Sequence, residues 1–106
     1  MSARPSYLVQ ILLPKETGSR QPIAEDWFVS FLKELTGQFG GVTSFLRSPG
    51  QGLWQSKSGT ENDSIAVVEV MVDHLDAAYW HFLRQRLERE LSQKEIVIRA
   101  QEIRQL

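Results

Sequence analysis

The chain has 106 residues, 42% of them hydrophobic and 24% charged, with a formal net charge of −1. That length fits one hydrophobic core and is too short for two, so residues 1–106 read as a single domain, and the near-neutral charge gives no global attraction for nucleic acid or an anionic membrane. With no cysteine, disulfides, thiol catalysis and thiolate metal sites are excluded, and no apolar run approaches the roughly 20 residues needed to span a bilayer.

The N-terminus, Met1-Ser-Ala-Arg-Pro5, carries no hydrophobic signal segment, which points to a cytoplasmic protein. Residues 7–13 (Y-L-V-Q-I-L-L) read as a first strand, ended by Pro14, which cannot donate to a ladder. A polar loop over 15–21 leads to a helix starting near Pro22, with Glu25 and Asp26 placed well for the helix dipole. Its apolar residues Ala24, Trp27, Phe28, Phe31, Leu32, Leu35 and Phe39 recur at three- and four-residue steps and form one core-facing stripe. Gly40-Gly41 stops it.

A second strand follows from Val42 to about Arg47. Ser48-Pro-Gly-Gln-Gly52 interrupts it, and 53–56 are expected to resume it after a bulge. The third strand is the run 65–72 (I-A-V-V-E-V-M-V), β-branched and apolar except for Glu69. A second helix spans about 76–93, with Asp73 or Asp76 as N-cap and Tyr79, Trp80, Leu83, Leu87 and Leu91 as its core stripe. Arg84/Glu88 and Arg86/Glu90 lie at helix-pairing distance on its outer face. Residues 95–103 (E-I-V-I-R-A-Q-E-I) form the last strand.

This order, β-α-β-β-α-β, predicts an α+β, ferredoxin-like sandwich. Right-handed crossovers place both helices on one face of a four-stranded antiparallel sheet ordered 4-1-3-2. Alternation assigns the faces. Tyr7, Val9, Ile11 and Leu13, with Ala66, Val68, Val70 and Val72, and with Ile96, Ile98 and Ala100, should face the helices. The opposite rows hold Leu8, Gln10 and Leu12; Ile65, Val67, Glu69 and Met71; and Val97, Arg99 and Gln101. A solvated face should be mostly polar, and this one is too apolar to stay bare. The simplest cover is a second copy of the same sheet, giving a homodimer.

Glu69 and Arg99 are expected to approach each other across Gln10. Two readings compete: a paired structural cluster in a buried interface, or a carboxylate and a guanidinium holding a small-molecule ligand. Trp54, beside the loop positions Pro49, Gly50 and Gly52, either packs at an interface or walls the same pocket. Gln10, Trp54, Glu69 and Arg99 are therefore the candidate ligand-binding residues. The two histidines, His74 and His81, would sit about 10 Å apart along a helix, too far for one metal. No phosphate loop, catalytic triad or cofactor motif is legible. RNA recognition would need aromatics on the central strands of the open face, where this chain has Leu8, Gln10, Leu12, Ile65, Val67, Glu69 and Met71.

The segments Phe39-Gly-Gly-Val-Thr-Ser-Phe45, Gly52-Leu-Trp54 and Ile65-Ala-Val-Val-Glu-Val-Met-Val-Asp73 resemble a group of small bacterial proteins of unknown function with a ferredoxin-like fold. The resemblance runs from the first helix to the end of the third strand and implies no activity. At fold level the chain also resembles dimeric α+β barrel proteins, cofactor-independent monooxygenases and stress-response proteins among them. No catalytic residue carries over, and whether the chain is an enzyme stays open. The expectation is a regulatory or non-enzymatic homodimer associating through its open sheet face. The alternative is a small-molecule-binding protein or cofactor-independent enzyme with a cavity between sheet and partner subunit.

Overall fold

The computed structural model describes residues 4–47 and 65–106. The elements are β1 (Arg4–Pro14), α1 (Glu25–Phe39), β2 (Thr43–Arg47), β3 (Ile65–Val72), α2 (Ala77–Glu90) and β4 (Val97–Gln105). The expected resumption of the second strand over 53–56, and Trp54 with it, lie outside the described residues. The strands form one antiparallel sheet in the order β2-β3-β1-β4. The expectation of an α+β domain with two helices and an antiparallel sheet holds.

Boundaries moved where local chemistry was weak. β1 begins at Arg4 because residues 4–6 find partners at Ile103, Arg104 and Gln105 of β4, a pairing that reaches past the end of β3. α1 starts at Glu25, and its N-cap Ala24 has no side chain to accept a hydrogen bond. It closes on Gly40, whose left-handed φ of 86° lets its N–H bond to the Thr36 carbonyl at 2.7 Å, a conformation that only glycine adopts without strain. At α2 the N-cap is Asp76, whose Oδ1 accepts from the Tyr79 N–H at 3.2 Å. This helix ends at Glu90 because Ser92 turns to a positive φ of 51°, where the loop after β1 closes over it. There the Gly18 N–H donates to the Leu91 carbonyl at 3.1 Å. A Cβ on Gly18 would collide with the Ser92 carbonyl oxygen.

The core lies between the helices and one sheet face. Val9, Ile11 and Leu13 of β1 and Ala66, Val68, Val70 and Val72 of β3 are buried there with Ile96, Phe31, Leu35, Trp80, Leu83 and Leu87. Aromatics join the two helices: Phe39 stacks on Trp80 at 5.1 Å between centroids, and Tyr79 packs edge-on against both rings. A bidentate pair adds a polar clasp, with Arg86 Nη1 and Nη2 donating to the Glu34 carboxylate at 2.8 and 2.9 Å.

Two positions depart from the expected faces. Ala100, assigned to the core row, is exposed, because β4 is an edge strand that extends past the helix cover. Val67 is fully buried although it stands on the outer row, in register between Leu12 of β1 and Phe45 of β2.

Candidate functional site

On the face away from the helices, cross-strand register lines up Thr43 of β2, Glu69 of β3, Gln10 of β1 and Arg99 of β4. Residues directly opposite on neighbouring strands have side chains in reach of each other, and the three on β3, β1 and β4 use it. Gln10 Nε2 donates to Glu69 Oε2 at 2.7 Å, and Arg99 Nε donates to Gln10 Oε1 at 2.9 Å. The amide orientation follows from its neighbours: a carboxylate can only accept and a guanidinium can only donate, so nitrogen faces Glu69 and oxygen faces Arg99.

Among the described residues Glu69 and Arg99 form no direct ion pair. Their strands are two apart, which sets the backbones roughly 10 Å apart, and Gln10 relays between them. This matters chemically. A closed ion pair would neutralise both charges, whereas a relay leaves a carboxylate at one end of the row and a guanidinium at the other. Glu69 and Gln10 are half-buried and Arg99 is exposed. Apolar side chains flank the row: Leu8 and Leu12 are half-buried, and Met71 and Val97 are 48% and 42% exposed. The result is a charged line across an apolar floor.

Three of the four sequence candidates thus come together, and Trp54 falls outside the described residues. Thr43 completes the row, and sequence alone did not single it out because its strand is short and its register was unknown. Also unforeseen is Ser6, fully buried with no hydrogen-bond partner for its Oγ among the described residues. No group of three acidic or histidine side chains among them could hold a metal ion. His74 and His81 are both exposed, and His81 lies 3.3 Å from Arg84 Nη2 and 3.3 Å from Gln85 Nε2.

No family model matches the chain, and no curated protein matches it, so the resemblance to small bacterial proteins of unknown function has no counterpart there. Among solved structures, a phage SAM lyase in complex with S-methyl-5'-thioadenosine is similar, with a TM-score of 0.60 and 12% identity, covering 95% of this chain and 85% of that one. The likeness shows the fold. It also corrects the regulatory, non-enzymatic reading drawn from sequence, since that similar structure is an enzyme with a small molecule bound. No helix among the described residues is long and apolar enough to cross a membrane.

Proposed function

We propose that this chain is a cytoplasmic small-molecule-binding protein acting as a cofactor-independent enzyme. It is of the ferredoxin-like, dimeric α+β barrel kind, with its site on the outer sheet face against a second copy. The observation that carries this reading is the Glu69–Gln10–Arg99 relay on an apolar floor. The row holds two opposite charges two strands apart on an otherwise apolar surface. It suits a ligand with a hydrogen-bond donor or positive centre for Glu69, an acceptor or negative group for Arg99, and an apolar body between them. By sequence alone, Trp54 is the fourth candidate. The structural neighbour supports the class of ligand and names the first probe, S-methyl-5'-thioadenosine.

Calorimetric titration with S-methyl-5'-thioadenosine tests it. Saturable binding is expected, weakened about 10- to 100-fold by Glu69→Gln, the equivalent of one charge-assisted hydrogen bond. The variant should melt like the parent, because a glutamine can still accept from Gln10. Binding that is absent, or indifferent to both Glu69→Gln and Arg99→Gln, would sink the reading. Light scattering during size-exclusion chromatography tests the second copy: the expected species is heavier than the 12.1 kDa chain, and a clean monomer at micromolar concentration removes the partner from the site.

A further inference from the structure

On the other side of the sheet, α2 and β4 do not close upon each other, and the cleft between them holds about 390 Å³. Its cause is legible in side-chain size. Where a bulky pair would seal the edge, the helix offers Ala77 and the strand offers Ala100. The floor is apolar, lined by half-buried Ile98 and by the rim of Trp80, most of whose indole is buried in the core. On the α2 wall stand His81 and Arg84, both on the same helix face because they are three residues apart. Arg84 Nη1 pairs with Glu88 Oε2 at 3.3 Å, and that same carboxylate oxygen accepts from the Ile96 N–H at 2.9 Å. Glu88 is therefore divided between two donors. Arg84 Nη2 points to His81 Nδ1 at 3.3 Å, which arranges the guanidinium and the imidazole side by side. Arg99 contributes its backbone edge to the same cleft, while its guanidinium is tied to Gln10 across the sheet.

We infer that this cleft is a second binding site, distinct from the outer-face row and independent of it, which takes a small organic anion. The ligand is an aromatic or branched apolar body bearing one carboxylate, sulfonate or phosphate. Its ring lies over Trp80 and Ile98 in the space that Ala77 and Ala100 leave open, and its anionic group is held by Arg84 and the neighbouring His81. A volume of a few hundred Å³ is what a single- or double-ring molecule needs. The Arg84 guanidinium supplies the charge, and Ile98 with the rim of Trp80 supplies the apolar contact.

The test uses naphthalene-1-sulfonate as probe against the full chain, followed by amide chemical shifts. The expected shifts cluster at Ala77, His81, Arg84, Ile98 and Ala100, and the uncharged 1-naphthalenemethanol binds at least about tenfold more weakly. Arg84→Gln lowers sulfonate affinity by a similar factor. Ala100→Leu, at an exposed strand position, fills the cleft and abolishes binding with the melting temperature held. Equal binding of the neutral analogue, an unaffected Arg84→Gln, or shifts centred on Gln10 and Glu69 would each overturn the inference. The last outcome would also leave the outer-face site standing, so the two proposals fail separately.

Discussion

The two faces of one sheet have nearly the same greasiness and, Val67 apart, opposite fates. Ile11 and Leu12 are neighbours on β1, yet Ile11 is completely buried under the helices and Leu12 is half-buried on the outer side. Val68 and Met71 of β3 divide in the same way. The difference lies in what the chain itself provides as a cover. On the helix side two aromatic-rich amphipathic stripes fill the space between strands, and polar groups are kept to the rim, as in the Arg86–Glu34 clasp. On the outer side no helix among the described residues arrives, and a polar relay runs straight through the middle of the apolar surface. Burial on one face is a folding solution. The other face keeps apolar area and charge side by side, the composition of a binding surface.

The largest effect should come from breaking the covered face alone. Ile11→Ala removes a fully buried side chain and leaves a void between sheet and helices, with an expected cost of about 2–5 kcal/mol. Leu12→Ala, one residue along, should cost well under half as much in the isolated chain, because its site is already part-solvated. Urea denaturation of both variants measures the contrast. Equal losses would mean that the outer face is as tightly packed as the inner one, and the open-face argument would fail. A step smaller is Gly18→Ala, which drives a methyl group into the Ser92 carbonyl oxygen at the end of α2. Backbone cannot yield as a flexible side chain can, so about 1–3 kcal/mol of destabilisation is expected. Thermal melting checks it, and an unchanged midpoint would mean that the loop after β1 is not fastened to α2.

Much of this contrast was legible in the sequence, for physical reasons. The periodicities of Trp27–Phe39 and Tyr79–Leu91 are strong because each helix has one side on the core, and the run 65–72 is strong because both of its faces are apolar. Alternation then brought Gln10, Glu69 and Arg99 to one face, which the register bears out atom by atom. What could not be read was anything that depends on where an element stops. Thr43 joins the polar row through a register that no local pattern encodes, and Ala100 lost its place in the core because the helix layer is narrower than the sheet. The α2–β4 cleft was invisible for the same reason: it is made by two alanines, the residues that carry least signal in a sequence. The relay itself was foreseen as a pair of charges meeting across Gln10. The structure makes Gln10 the connector, and with it the site becomes a line with two ends.

The smallest effect sharpens the description of the helix side as packed between its two helices but not dry at its rim. Tyr79 packs between Phe39 and Trp80 near the Arg86–Glu34 clasp. Its phenol is pushed above the ordinary 10.0, first by burial and then by the negative charge of Glu34, with Arg86 opposing. Ionisation is therefore harder in the folded chain than in the unfolded one. The folded state keeps a proton that the unfolded state gives up, so stability is fully present below pH 10 and declines as pH climbs through the raised value. Tyr79→Phe removes the ionisable group and keeps the ring contacts. Urea midpoints at pH 9 and pH 11 should fall less for the variant than for the parent, by a modest margin because the phenol is partly solvated. Parallel falls in the two proteins would mean that Tyr79 meets the same environment folded and unfolded. The aromatic seam between the helices would then be open to water, and the contrast between the two faces would narrow to the strand residues alone.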